Sequence, residues 1–181
     1  MDVSTDILPL VDHEPATESF RDAALEGLSR PQKKIASKFL YDERGSKLFD
    51  QICRLDEYYP TRTEIGIMKE HVSEMVAAIG PRARLVELGS GSSMKTRILL
   101  DHLEDLAVYV PIDISRSHLV EAAEQIAEAY PGVPVQPLCA DYTATLDLPE
   151  PPGPPARTIV YYPGSTVGNF QPHDARDFLR R

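Results

Sequence analysis

The chain has 181 residues, of which 42% are hydrophobic, and so enough apolar content for one packed domain, or one domain and part of another. Its formal net charge of −9 and isoelectric point near 5.0 argue against a nucleic-acid-binding surface, and no apolar run approaches a membrane span. The N-terminus has no signal-peptide pattern, and Cys53 and Cys139 lack metal-ligand spacing and suit a reducing compartment, so the cytoplasm is the expected location.

The acidic start, with its two prolines, reads as a flexible leader over residues 1–18, Met1 to Pro15 most clearly. An N-terminal helical region follows over residues 19–80. Ser19 to Leu28 fits a short helix ending near Gly27, and the basic stretch Pro31 to Lys38 leads into a loop or helical turn. Ser46 is a candidate cap for a helix through Leu55, whose apolar face is Leu48, Phe49, Ile52 and Leu55. Pro60 is expected to hold Tyr59 extended. Thr61 or Thr63 is then expected to cap a helix reaching about Ile79, with Glu64 in its first turn. Ile65, Met68, Val72, Met75, Val76 and Ile79 share one face of that helix.

From residue 81 to 181 the pattern alternates strand and helix. Strands are expected at Arg84 to Leu88, Ala107 to Ile112, Val133 to Cys139 and Arg157 to Tyr162. Helices are expected at Lys95 to Leu103 and, capped by Ser115, at Ser117 to Tyr130, with another opening at Pro172. Pro134 and Pro137 place the third strand at an edge. The proline-rich Pro149 to Pro155 is a loop. This alternation predicts an α/β fold with a parallel sheet and a ligand site at the carboxyl ends of its strands. With four strands in this order, the last one is left at an open edge.

The stretch Arg84–Asp101, RLVELGSGSSMKTRILLD, is the unit around which the rest is arranged. Strand, glycine turn and helix form the first unit of a nucleotide-binding sheet. Gly89 and Gly91 permit a sharp turn and close approach of a ligand to the backbone, and the helix start adds unpaired N–H groups. Met94 stands where the dinucleotide fingerprint needs a third glycine, and no P-loop lysine follows Gly91. The E-x-G-x-G form, Glu87 to Gly91, resembles motif I of the class I S-adenosylmethionine-dependent methyltransferases.

Asp113 ends the second strand, 26 residues after Glu87. An acid there can accept two hydrogen bonds from ribose hydroxyls. Asp141, after the third strand, can accept from an adenine amino group while Tyr142 packs on the ring. Lys95 can meet a methionyl carboxylate. Three successive strand ends thus carry the expected groups in order. Methyl transfer from a sulfonium is an in-line displacement that needs alignment and desolvation but neither a metal nor a covalent enzyme intermediate. No triad or Cys–His pair is legible, the five histidines are scattered, and no residue is assigned as a chemical catalyst.

A narrower resemblance rests on three separated stretches: FLYDERGSKLFDQICRLDEYYPTRTE (Phe39–Glu64), LVELGSGSSMKTRILLD (Leu85–Asp101) and YYPGSTVGNFQP (Tyr161–Pro172). In this order they resemble the histidine-specific methyltransferase family, over nearly the whole chain from about residue 20. The resemblance implies S-adenosylmethionine as methyl donor, L-histidine as the small-molecule substrate and hercynine, an ergothioneine precursor, as product. It implies cofactor binding by Tyr41, Gly89, Lys95, Asp113, Asp141 and Tyr142, beside the motif residues Glu87 and Gly91. It implies amino-acid binding by Tyr58, Gly164 and Asn169, with Asn169 at the amino and carboxylate groups and Tyr58 toward the imidazole.

Members of that family are longer. The resemblance therefore implies an incomplete Rossmann-like sheet, an N-terminal portion without the later strands and the substrate domain whose residues recognise the imidazole. Two alternatives follow: a cofactor-binding module without independent catalysis, and a related amino-acid N-methyltransferase. A nicotinamide-dependent oxidoreductase is disfavoured by Met94 and by the downstream motifs.

Overall fold

The computed structural model describes residues 7–13, 20–91 and 93–180. Among these, five strands form one parallel sheet: β1 (Val11–Asp12), β2 (Ala83–Leu88), β3 (Leu106–Asp113), β4 (Leu138–Cys139) and β5 (Arg157–Tyr161). Their spatial order is β1-β4-β3-β2-β5. The helices are α1 (Phe20–Ser29), α2 (Glu43–Ile52), α3 (Pro60–Ile79), α4 (Met94–Leu100), α5 (Arg116–Ala129) and α6 (Pro172–Phe178).

β2 and β3 are apolar along nearly their whole length because both faces of the sheet are covered. On one face Leu85 and Tyr109 pack with Met68, Val72 and Ile79 of α3, Leu99 and Leu100 of α4, and Ala123 and Ile126 of α5. The region expected over residues 19–80 therefore contributes α3 to the same core as the sheet. On the other face Val86, Leu88, Val108, Val110 and Ile112 meet Leu146, Leu148 and Phe178. A winding coil and one short helix cover this second face.

The structure corrects several expectations. Residues 7–13 are not a leader: β1 pairs with β4, Val11 opposite Leu138 and Asp12 opposite Cys139. Leu8 N–H donates to the Val135 carbonyl at 2.8 Å, Val11 N–H to that of Pro137 at 3.0 Å, and His13 N–H to that of Cys139 at 3.0 Å. The rest of the expected leader lies outside the described residues. The third strand is accordingly interior, not an edge. Its prolines lack donors but keep their carbonyls; that of Pro134 accepts from Tyr109 N–H at 2.8 Å. The prolines do shorten the regular pairing to Leu138–Cys139, with one isolated bridge at Val135 on each side.

Asp42, rather than Ser46, caps α2, accepting from Gly45 N–H at 2.7 Å. α3 starts on Pro60 itself, with no side-chain cap from Thr61 or Thr63. Tyr59 is helical, at φ −70° and ψ −22°, not extended. Its carbonyl receives the Thr63 N–H at 3.0 Å, and this first helical bond outweighs the pre-proline preference. Ser115 precedes α5 without a side-chain cap bond. β5 is the edge that the sequence predicts, and its Val160 is 59% exposed.

Candidate functional site

The turn after β2 is built on left-handed backbone. Gly89 has φ +71°, Gly91 +49°, and Ser93, which precedes α4, +52°. Glycine adopts this region without the penalty that a side chain brings. The amides of Gly89 and Ser90 both donate to the Ile112 carbonyl, at 2.9 and 3.1 Å, which fastens the turn to the end of β3. A Cβ on Gly91 would meet nothing within 4 Å, and one on Gly89 would lie 3.6 Å from the Tyr142 ring.

Asp113 ends β3 with its carboxylate already oriented. Oδ2 accepts from Gly91 N–H at 3.2 Å and Oδ1 from Ser115 N–H at 2.9 Å. Each oxygen keeps further lone-pair capacity for a hydroxyl donor.

Asp141 follows β4 in a local turn. Its Oδ1 accepts from the Thr143 amide at 2.9 Å and hydroxyl at 2.6 Å, and Lys38 Nζ reaches Oδ2 at 3.4 Å. Burial alone pushes this carboxyl up, but the Thr143 bonds and Lys38 hold it below the usual range. Tyr142 packs edge-on against Tyr162 and Phe178, with centroids 5.6 and 6.1 Å away. Burial, followed by the hydroxyl–hydroxyl contact with Tyr162, raises the Tyr142 phenol well above its ordinary value.

Glu87 lies beneath the glycine turn, not on its open side. It is 2% exposed and accepts from Thr96 Oγ1 at 2.5 Å and from the Tyr109 hydroxyl. Burial pushes its carboxyl up to about 7 against the pull of these two donors. Glu87 thus ties β2, β3 and α4 together under the turn.

The N-terminal helical region lies over the same end of the sheet. Tyr41 and Tyr58 flank Phe49, both with centroids 5.9 Å from it. Burial, then the neighbouring Cys53, raises both phenols. Arg62 gathers the carbonyls of Leu55 at 2.7 Å, Asp56 at 2.6 Å and Tyr58 at 3.4 Å, which fixes the turn that presents Tyr58. Glu64 accepts from Lys95 Nζ at 2.6 Å and from the Gly164 amide at 2.8 Å. Asn169 closes the 3-10 turn Thr166–Asn169 after β5 and is exposed.

The structure therefore brings Gly89, Gly91, Asp113 and Tyr142 together at neighbouring strand ends, with Asp141 tied to the helical region through Lys38. It brings Lys95 and Gly164 together through Glu64. Sequence reading passed over Lys38, Arg62, Thr96 and Tyr109, and treated Glu64 as a helix-start acid. Glu64 and Arg62 stand inside EYYPTRTE, a stretch already singled out, whereas nothing local marks Lys38 or Tyr109. Among the described residues no group of three or more His, Cys, Asp or Glu side chains could hold a metal, and no helix is long and apolar enough to cross a membrane.

The chain is similar to several known proteins. A protein of known structure, described as a putative S-adenosyl-L-methionine-dependent methyltransferase from Methanococcus maripaludis, shares the fold with TM-score 0.50 and 18% identity. The match covers 77% of this chain and 58% of that one. Histidine N-alpha-methyltransferase of Mycolicibacterium smegmatis is 41% identical over 169 residues, which is 92% of this chain and 51% of the relative. Ergothioneine biosynthesis protein 1 of Neurospora crassa is 34% identical over 152 residues, 82% of this chain and 17% of that protein. The chain thus spans about half the length of its mycobacterial relative. The family described as "Histidine-specific methyltransferase, SAM-dependent" matches residues 20–181. With its parallel sheet, its glycine turn and the acid ending β3, this chain belongs to the S-adenosylmethionine-dependent, histidine-specific methyltransferases.

Proposed function

We propose that this chain forms the cofactor-binding part of an enzyme that methylates the α-amino group of L-histidine, giving hercynine on the way to ergothioneine. The observation that carries the reading is the pre-oriented Asp113 carboxylate, bound to Gly91 N–H beside an open glycine turn. The donor set fits S-adenosylmethionine: open backbone at Gly91, a carboxylate at Asp113, an acid and an aromatic ring at Asp141–Tyr142, and an ammonium at Lys95.

In this reading Asp113 accepts from the ribose hydroxyls, Asp141 from the adenine amino group, and Tyr142 offers its ring to the base. Lys95 meets the methionyl carboxylate, Tyr41 completes the cofactor site, and Glu87 supports the turn from below. Tyr58, Gly164 and Asn169 hold the amino acid so that its nitrogen lone pair lies in line with the donor methyl. When bound, S-adenosylmethionine would supply an electrophilic methyl on its sulfonium. The chain's own contribution is alignment and exclusion of water. A cytoplasmic location suits the unbridged thiols of Cys53 and Cys139.

A second reading, a cofactor-binding module without turnover of its own, is favoured by the uncovered edge at β5 with Val160 exposed. Calorimetric titration with S-adenosylhomocysteine, then L-histidine, tests both. Saturable cofactor binding that NADH does not displace supports the cofactor site; histidine binding and methylation on top of it separate the enzyme from the module. A folded chain with no affinity for S-adenosylhomocysteine overturns the reading.

A further inference from the structure

Glu64 joins two parts of the site that the sequence keeps 69 positions apart, Lys95 and Gly164. Lys95 stands in the first turn of α4, after β2, and Gly164 follows β5, the neighbour of β2 in the sheet. One carboxylate from α3 reaches both: Oε2 to the Lys95 ammonium at 2.6 Å and Oε1 to the Gly164 amide at 2.8 Å. The Lys95 and Glu64 side chains are only 18% and 27% exposed. A Cβ on Gly164 would lie 3.3 Å from Lys95 Nζ, so backbone and ammonium are packed around the shared acid. Burial above all, with the nearby Glu64 charge as the smallest cause, raises the phenols of Tyr58 and Tyr161.

We propose that Glu64 is a positioning residue that holds the Lys95 ammonium and the Gly164 turn in one fixed arrangement, and so couples the cofactor side of the site to the amino-acid side. The inference rests on the function proposed above for Lys95 and Gly164. An ammonium has three donors. Glu64 uses one and thereby fixes the end of a flexible four-carbon stem, leaving two for an incoming carboxylate. The Gly164 amide, fixed by the other oxygen, sets the start of the turn that leads to Asn169. A plain helix-start acid has neither consequence, because its effect ends within the first turn of its own helix.

The test compares Glu64→Gln and Glu64→Ala in the 181-residue chain. Amide exchange at Gly164 is read by NMR, affinity for S-adenosylhomocysteine by calorimetry, and folding by circular dichroism. Glutamine keeps a carbonyl oxygen for the Gly164 amide but loses the charge that anchors Lys95. Glu64→Gln is therefore expected to keep Gly164 protected while cofactor affinity falls about tenfold or more. Glu64→Ala is expected to lose both, with Gly164 exchange about tenfold faster or more at an unchanged fold. Lys95→Met probes the clasp from the other side and should also quicken Gly164 exchange. Wild-type exchange at Gly164 in Glu64→Ala and Lys95→Met overturns the proposal. So does a cofactor affinity that Glu64→Gln leaves unchanged. Absence of cofactor binding in the wild type defeats the functional reading itself, and Gly164 exchange then decides the role of Glu64 alone.

Discussion

Gly91 N–H donates to Asp113 Oδ2 at 3.2 Å, so the turn after β2 and the acid ending β3 are one hydrogen-bonded unit. Replacing Asp113 with alanine removes both the proposed ribose acceptor and the anchor of the turn. S-Adenosylhomocysteine binding is expected to weaken by about 2–4 kcal/mol. Asp113→Asn keeps one carbonyl oxygen and should retain part of the affinity. Calorimetry on the two variants side by side checks this, and equal, near-wild-type values would count against the assignment.

Gly89 and Gly91 make a paired test of backbone strain against ligand access. Alanine at either must adopt positive φ, at a cost of about 1–2 kcal/mol. At Gly89 the new methyl contacts Tyr142 at ordinary distance, whereas at Gly91 it projects into open space. Both variants should melt earlier by similar amounts, but Gly91→Ala should lose the larger share of cofactor affinity. Gly66, exposed in the middle of α3 with open space around its Cβ position, is the control. Gly66→Ala should stabilise the chain by roughly 0.5–1 kcal/mol in a denaturant melt.

Glu87 predicts an unusual pH dependence. Its carboxyl sits at about 7 in the folded protein, because of burial, and near 4.5 as an ordinary value. The folded state then holds a proton that the unfolded chain has released, so this group's contribution falls as pH rises from about 4.5 to 7. The full effect is on the order of 3 kcal/mol. Glu87→Gln, which keeps an acceptor for Thr96 and Tyr109, should flatten the stability profile across that window. Urea melts at pH 5 and pH 7.5 read the difference directly.

Lys38 and Asp141 form a partly buried pair at 3.4 Å that draws the segment before α2 to the end of β4. Lys38→Ala should lower stability by no more than about 1 kcal/mol, yet raise protease sensitivity around Tyr41. Asn169→Ala, in the proposed amino-acid site, should weaken histidine binding far more than cofactor binding. Matched losses would indicate a folding defect instead.

Much of this was legible from local pattern. β2, β3, β5 and the carboxyl-end positions of Gly89, Asp113 and Asp141 follow from apolar runs that stop at polar or glycine residues, a signal contained within a few positions. What escaped depends on partners distant in sequence. Nothing near Glu64 announces Lys95 and Gly164, and nothing near Tyr109 announces Glu87, because the sheet order brings them together. Pro134 and Pro137, just before β4, carry an edge signal in their missing donors, but it is their carbonyls that the neighbouring strands use. Tyr59 kept helical geometry despite Pro60 because the first bond of α3 needs its carbonyl.

The pairing of β1 with β4 has a consequence for how the chain is made. Val11 and Leu138 are register partners although 127 positions separate them. At synthesis rates of roughly 5–20 residues per second, the early segment waits on the order of ten seconds for its neighbour to be made. Throughout that interval Ile7, Leu8 and Val11 lack their native cover. β2 and β3 need far less chain between them, so they can pair well before β1 has its partner. An added apolar tag before residue 7 would enlarge the apolar surface exposed during that interval, and soluble yield should fall before any change in the melting temperature is seen.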